Sequence, residues 1–225
     1  MWREYFNRKA ADHQGSPMAS DYFSEKSFRD HRDSILAWLG PQRERRVLDA
    51  GCGVGVFAEP LTAANQVYGA DVAELALGYA RARGLRVVRA DLDRLPFAAS
   101  GFDLVLCIAV LQHVPDETAM LRELCAQVKP GGQLVLQTLN ANSLQRKMLA
   151  YVVREKTFDR LVAPEQLRRA LADLGLDQIE LLYQYYPLSL TTRSARATGP
   201  LTWLSTSFAI RGRRPPASAT GSAAR

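Results

Sequence analysis

The sequence contains no long apolar run and no cysteine pair with a functional spacing. None of its apolar segments approaches the roughly 18 residues that a membrane-spanning helix needs. Its three cysteines, Cys52, Cys107 and Cys125, have neither metal nor redox spacing, and their odd number argues against a disulfide framework. The first residues also lack the apolar stretch of a secretory signal. We therefore expect a reduced, cytoplasmic protein, whose oligomeric state the sequence leaves open.

A surplus of positive charge is also missing from most of the chain. The net charge is +6, but six of the 29 basic residues follow residue 192, where no acidic residue occurs. The rest of the chain is neutral and offers no basic face to nucleic acid. We expect residues 212–225, rich in Arg, Ala, Ser and Pro, to form a disordered basic tail that could touch an anionic membrane surface weakly.

Strand and helix patterns alternate from residue 46 onward, which is typical of an α/β fold. The predicted strands are 46–50, 67–71, 86–90, 102–108, 133–139, 178–186 and 203–211. The predicted helices are 21–39, 56–64, 73–83, 116–128, 143–156 and 164–174. These patterns indicate a doubly wound, Rossmann-like, seven-stranded sheet with helices on both faces and an antiparallel C-terminal strand. We expect a helical cap at 1–40 and the main domain at 41–211, with a helical insertion at about 141–175.

The most informative segment joins the first strand to three glycines. Val47-Leu48-Asp49-Ala50 runs into Gly51, Gly53 and Gly55, where a missing side chain lets the backbone turn tightly and touch a ligand. Such turns also occur without a ligand. Two later aspartates favour a ligand, because Asp71 and Asp91 follow the next two strands. Asp71 lies about 20 residues after Asp49, an offset that suits a carboxylate on ribose hydroxyls.

A dinucleotide is the obvious competing ligand for this turn. That motif requires Gly or Ala at position 56, where Val56 stands. Asp49 would also repel a pyrophosphate, whereas it suits a cation. S-adenosylmethionine fits better, because it has no phosphate and carries both a sulfonium and an amino group. The sequence therefore predicts a site for S-adenosylmethionine.

These residues resemble the class I S-adenosylmethionine-dependent methyltransferases over about Val47–Leu139. The resemblance includes the glycine turn, Asp71, Asp91, the strand Phe102-Asp103-Leu104-Val105 and Val128-Lys129-Pro130-Gly131-Gly132. Within that superfamily, Leu111-Gln112-His113-Val114-Pro115-Asp116 and Gln137-Thr138-Leu139-Asn140 are similar to the O-methyltransferases of ubiquinone biosynthesis. That family carries an acidic pair before the histidine that helps to hold a divalent metal. Ala109 and Gln112 stand there instead, so we expect no metal.

The predicted cofactor contacts surround the carboxyl edge of the sheet. Asp49 is assigned to the cofactor's amino group, Asp71 to its ribose, and Asp91 with Leu92 to its adenine. The backbone carbonyl of Ile108 could also accept from the amino group. The complete set of predicted cofactor-binding residues is Asp49, Gly51, Cys52, Gly53, Asp71, Val72, Asp91, Leu92, Ile108 and His113.

His113 is the candidate catalytic residue. It follows the fourth strand at the edge where the cofactor is expected, and an imidazole can take a proton from an acceptor hydroxyl near neutral pH. A purely structural histidine beside the cofactor is the alternative. Tyr5, Phe6, Tyr22 and Phe23 could cap the site from one side, and the mixed basic and apolar segment 144–154 could close the other.

The expected activity is methyl transfer to a hydroxyl of a small molecule, either quinone-like or a secondary metabolite. Three alternatives remain open. The same core could methylate a lipid, a sugar or an amine. It could methylate tRNA or protein, which the neutral body disfavours, or it could bind the cofactor without turnover.

Overall fold

The computed structural model describes residues 2–20, 24–145, 147, 161–185, 190–194 and 200–217. The strands are β1 (Arg46–Ala50), β2 (Gln66–Asp71), β3 (Arg86–Arg89), β4 (Phe102–Ile108), β5 (Val128–Leu139), β6 (Asp177–Tyr185), β7 (Leu190–Ser194) and β8 (Ser207–Arg213). The helices are α1 (Trp2–Asp12), α2 (Glu25–Leu39), α3 (Glu74–Ala82), α4 (Glu117–Gln127), α5 (Pro164–Asp173) and α6 (Pro200–Leu204). Short 3-10 turns lie at Pro17–Ser20, Glu59–Leu61 and Leu111–His113.

All of these strands join one sheet in the order β3-β2-β1-β4-β5-β8-β6-β7. The strands from β3 across to β5 are parallel, whereas β8 runs antiparallel to both β5 and β6. Strand order reverses between β1 and β4, and in open α/β sheets ligands bind in the crevice at such a switch point, beyond the carboxyl ends of the strands. The topology therefore places a ligand crevice next to the glycine turn.

The sheet is covered on both faces. Buried residues of α1, α2 and α3 pack with Val47, Leu104 and Leu106 on one face. Buried residues of α4 and α5 pack with Leu48 and Val105 on the other. The central strand β4 is apolar on both faces, as its nearly continuous apolar sequence predicts. The predicted doubly wound, Rossmann-like fold is confirmed.

The strand count and the C-terminal elements differ from the prediction. The sheet has eight strands, because β7 adds to the edge of β6. The last strand begins at Ser207, since Pro200–Leu204 forms a short helix that takes up the expected start at Trp203. Residues 212–214, assigned to the tail by composition, belong to this sheet: β8 continues to Arg213, and the Arg214 backbone exchanges hydrogen bonds with Gly131 and Gly132.

Two predicted helices also differ. The segment 56–64 contains only the 3-10 turn Glu59–Leu61, with Pro60 inside it. The N-terminal segment, part of the expected helical cap at 1–40, begins with the 11-residue helix α1. Helix α2 starts at Glu25, because the Ser24 side chain caps it by accepting from the Ser27 amide. Tyr22, Phe23, residue 146 and the insertion 148–160 lie outside the described residues, so the predictions about them stay untested.

Candidate active site

The glycine turn follows β1 directly and is held in place by close packing. Gly51 and Gly55 have φ values of +79° and +82°, which glycine adopts without strain. A Cβ on Gly51 would lie 2.3 Å from Cγ2 of Val110, and one on Gly55 would lie 2.8 Å from the Cα of Ala80. Both glycines are therefore required by the fold itself, since their backbones approach the end of β4 and helix α3.

Asp71 at the end of β2 ties this turn to the sheet. Its Oδ2 accepts from the Gly53 amide at 2.8 Å, and its Oδ1 accepts from the Ala73 amide at 2.9 Å. Burial raises the pKa of Asp71, while the amides of Ala73, Gly53 and Val72 act in the opposite direction. Each carboxylate oxygen has a further lone pair, so the side chain can still accept from a ligand hydroxyl.

Asp49 is the least satisfied polar group in this region. It is 2% exposed, and its Oδ2 is buried without a hydrogen bond. Burial, followed by repulsion from Asp71, raises the pKa of Asp49 to about 7. An ionised carboxylate in this position favours a positively charged group close by. The arrangement therefore fits a cofactor that brings an ammonium and a sulfonium, and it opposes a phosphate.

The other predicted contacts at this edge differ in exposure. Cys52 is buried, and its Sγ packs against Gly69, where an added Cβ would lie 2.8 Å from the sulfur. The Cys52 side chain therefore fills space inside the protein rather than facing a ligand. Burial raises the pKa of this thiol well above its usual value. Asp91 is exposed, Leu92 is buried, and Val72 is half-buried. Asp49, Asp71 and the turn are thus brought together, whereas Asp91 lies free at the surface two residues beyond β3.

The end of β4 turns sharply toward the histidine. Ile108 is the last strand residue, and Ala109 has a φ of +59°, which is uncommon for a residue with a side chain. The Ala109 amide donates to the Gln137 carbonyl at 3.0 Å, so β5 holds this turn in place. The 3-10 turn Leu111–His113 follows immediately and presents the half-buried His113.

Gln112 braces that turn from inside. It is 4% exposed; its Nε2 donates to the Ala109 carbonyl at 3.0 Å, and its Oε1 accepts from Thr138 Oγ1 at 3.3 Å. An amide engaged in this way, with Ala109 beside it, does not supply the carboxylates that a hard divalent cation prefers. The residues at these two positions therefore lack the acidic pair that the sequence resemblance implies for a metal site. Among the described residues, no group of three or more His, Cys, Asp or Glu could hold a metal ion.

Helix α1 covers His113, a contact the sequence did not reveal. The Trp2 and Phe6 rings lie 4.4 Å and 5.3 Å from the imidazole, centroid to centroid. Phe6 was an expected cap residue, but Trp2 was missed. The available signal was the spacing of Trp2, Tyr5 and Phe6, which places three aromatic rings on one face of a helix.

Asn140, just after β5, belongs to the segment 137–140 that carries part of the family resemblance, but its structural role was not predicted. It is fully buried; its Nδ2 donates to the Thr202 and Ser205 carbonyls, and its Oδ1 accepts from the Asn142 amide at 2.9 Å. These bonds join the end of β5 to α6, through Thr202, and to the segment between α6 and β8, through Ser205. Across the part of the chain that the structure describes, no helix combines the length and apolarity needed to cross a bilayer.

Comparison with known proteins agrees with this geometry. The family described as a methyltransferase domain matches residues 21–181. The ubiquinone biosynthesis O-methyltransferase of Bordetella bronchiseptica is 31% identical over 185 residues, covering 70% of this chain and 77% of the relative. The protein of the same name from Aromatoleum aromaticum is 34% identical over 163 residues, covering 64% of this chain and 70% of the relative.

Two solved structures share the fold at lower identity. One is a SAM-dependent methyltransferase from Thermotoga maritima, described as a possible histamine N-methyltransferase, with a TM-score of 0.75 at 20% identity over 95% of this chain and all of that chain. The other is the magnesium protoporphyrin IX methyltransferase of Synechocystis with bound SAH, with a TM-score of 0.67 at 24% identity over 94% of this chain and 97% of that chain.

The sheet topology, the glycine turn and these matches define an enzyme of the methyltransferase class with a Rossmann-like fold. The chain belongs to the S-adenosylmethionine-dependent methyltransferase family, and S-adenosylmethionine is its cofactor.

Proposed function

We propose that this enzyme transfers a methyl group to a hydroxyl of a small molecule, either a quinone-like compound or a secondary metabolite. The names of the 31% and 34% identical relatives support oxygen as the atom methylated. The single observation that carries the cofactor part of the proposal is Asp49, a buried carboxylate with an oxygen that lacks a hydrogen-bond partner beside the glycine turn.

The proposed cofactor contacts follow the edge of the sheet. Asp49 and the carbonyl of Ile108 hold the amino group, with the backbones of Gly51, Cys52 and Gly53 beside the methionine portion. Asp71 and Val72 receive the ribose, since the Asp71 carboxylate already faces the turn through Gly53. Asp91 and Leu92 receive the adenine, with the exposed carboxylate accepting from its amino group and the apolar side chain packing on the ring.

His113 is the proposed base. Bound S-adenosylmethionine supplies a methyl group that its sulfonium already activates for displacement. The imidazole of His113 orients the acceptor hydroxyl and takes its proton as the oxygen–carbon bond forms and the carbon–sulfur bond breaks. Because the methyl is already activated, holding oxygen and methyl in line accounts for much of the acceleration, and the base adds about 10²-fold or more.

The test combines an unbiased search with one variant. Purified enzyme is incubated with methyl-labelled S-adenosylmethionine and a cell extract, and the label is then fractionated by mass. We expect label in low-mass organic compounds, joined through oxygen. His113→Ala should lower that incorporation about 10²-fold or more at saturating S-adenosylmethionine, whereas unchanged turnover would remove His113 from the mechanism.

Other distributions of the label point to other functions. Label on the nitrogen of an amine, or on a lipid or a sugar, would retain the enzyme class and replace the acceptor. Label in RNA or protein would contradict a small-molecule acceptor. Absence of any transfer, with tight cofactor binding, would indicate a binding role without turnover.

A further inference from the structure

The aromatic face of α1 is the feature of the molecule that the cofactor site leaves unexplained. Trp2, Tyr5 and Phe6 form a compact group, with ring centroids 5.8 Å apart for Trp2 and Tyr5 and 5.1 Å apart for Tyr5 and Phe6. All three side chains are only half-buried. Large aromatic rings that stay partly exposed on a helix are suited to packing against a further group, and the contacts of Trp2 and Phe6 identify that group as His113.

Two of these rings meet His113 directly. Trp2 lies 4.4 Å from the imidazole with the planes tilted by 55°, and Phe6 lies 5.3 Å away in an edge-on arrangement at 73°. Aromatic contacts at these distances stabilise the packed arrangement by more than the burial of apolar area alone. The imidazole is therefore confined from the helix side by two rings that lie far from it in the sequence.

The same helix is fastened to α3 at the other side of the crevice. Asn7 Oδ1 accepts from the Leu75 amide in the first turn of α3, at 2.9 Å. Just beyond the helix, the Gly15 carbonyl accepts from Arg83 Nη2, also at 2.9 Å. Helix α3 follows β2 and the His113 turn follows β4, while β1 lies between those two strands in the sheet. Helix α1 thus crosses the carboxyl end of β1, where the glycine turn begins.

We propose that Trp2 and Phe6 are positioning residues for His113 and that their contact closes α1 over the cofactor. The proposal rests on the proposed role of His113 and on the cofactor site beside it. When the two rings pack on the imidazole, the base is held toward the acceptor and the cofactor is covered. When they separate, α1 can lift from the His113 turn and the spent cofactor can leave.

The rate of cofactor release tests this closure without a known acceptor. S-adenosylhomocysteine is bound to the enzyme and its dissociation is followed by stopped-flow displacement. We expect the double variant Trp2→Ala, Phe6→Ala to release it about tenfold faster or more, the effect of losing about one such aromatic contact. The single variant Trp2→Phe, which keeps an aromatic ring at position 2, should release S-adenosylhomocysteine nearly as slowly as the wild type. Trp203→Ala is the matched control, since Trp203 is 62% exposed and lies on α6.

The positioning itself has a separate spectroscopic readout. A tryptophan ring 4.4 Å from an imidazole displaces the NMR signals of the His113 ring protons through its ring current. These signals should move toward their ordinary positions in Trp2→Ala and stay unchanged in Trp203→Ala. Asn7→Ala, which removes only the bond to α3, should leave the His113 signals in place and speed release less than the double variant does.

Two results would overturn the closure: release from the double variant at the wild-type rate, or His113 signals that do not respond to Trp2→Ala. If the double variant does not fold, the single variants Trp2→Ala and Asn7→Ala decide by the same two measurements. A wild-type enzyme that fails to bind S-adenosylhomocysteine would instead contradict the proposed function. The NMR comparison would then still decide whether Trp2 holds His113.

Discussion

Two groups of buried polar side chains lie at the carboxyl edge of this sheet, and they are satisfied in opposite ways. Beside β1 and β2, the Oδ2 of Asp49 has no partner and its neighbour Asp71 is a second carboxyl group. Around β5, Asn140 and Gln112 use both ends of their amides in hydrogen bonds within the protein. The first group is incomplete without a ligand, whereas the second is complete as it stands.

The difference indicates which polar groups serve binding and which serve the fold. A buried polar group that is fully hydrogen-bonded fixes one arrangement of the chain. A buried carboxylate without a partner destabilises the free protein, and its presence is understandable where a ligand brings the missing charge. Gln137 on β5 belongs to neither group, and its buried Oε1 has no partner.

Asp71→Ala should give the largest effect, because Asp71 combines a proposed ligand contact with the hydrogen bond that holds Gly53. We expect the affinity for S-adenosylmethionine, measured by calorimetry, to fall about 100-fold, as two lost charge-assisted bonds would predict. Asp103→Ala is the matched control. Asp103 also accepts a backbone amide, from Arg46 at 2.8 Å, but at the opposite end of β4. If both variants bound S-adenosylmethionine with equal affinity, the carboxyl edge of the sheet would be no more important for cofactor binding than the opposite edge.

The strands near the cofactor were predictable because their signals are local. The strands 46–50 and 102–108 match the structure residue for residue, since each is a short apolar run with a turn on one side. The glycine turn and its aspartates are likewise readable within a few residues. The helix expected after the turn was wrong, because glycine at 53 and 55 and Pro60 leave only a 3-10 turn there.

The region around β5 was less predictable, because its contacts join residues far apart in the sequence. Asn140 bonds to Thr202 and Ser205, and no local pattern indicates such a pairing. The sequence showed that position 112 lacks a carboxylate, but it could not show that the amide braces Ala109 and Thr138. The contact of Trp2 with His113 escaped prediction for the same reason.

Asn140→Ala should have the next largest effect, and on stability rather than on binding. The change leaves the buried Ser205 carbonyl and the Asn142 amide without their partner and takes one of two donors from the Thr202 carbonyl, which costs about 2–3 kcal/mol in the free energy of unfolding. Urea denaturation measures that cost, and Asn142→Ala, which keeps the backbone bond, is the control. The folded fraction should bind S-adenosylhomocysteine like the wild type. Weaker cofactor binding at full stability would show that Asn140 belongs to the binding group instead.

The smaller of the two expected losses in binding comes from Asp49→Asn, whose effect on stability depends on pH. The raised pKa of about 7 means that folded Asp49 keeps its proton at pH values where the unfolded chain has lost it. The contribution of Asp49 to the free energy of unfolding of the wild type therefore falls as the pH rises from about 4 to about 7. Above that range the ionised, buried carboxylate destabilises the folded protein by its full amount. The amide of the variant carries no such cost. Its Tm should match the wild type near pH 4 and exceed it by roughly 10 °C at pH 8, since a pKa raised from about 4 to about 7 corresponds to about 4 kcal/mol and about 1 kcal/mol shifts Tm by about 2–4 °C in a chain of this size.

The same variant should lose affinity for S-adenosylmethionine, because the amide cannot offer the negative charge that the amino group and sulfonium require. Calorimetry at pH 8 should show binding weakened by about tenfold, the usual effect of losing one charge-assisted bond. A gain in stability paired with a loss in binding is the signature of a group kept for its ligand. If the Tm difference is the same at pH 4 and pH 8, the carboxylate is not titrating in the folded protein, and Asp49 would then belong with the satisfied groups around β5.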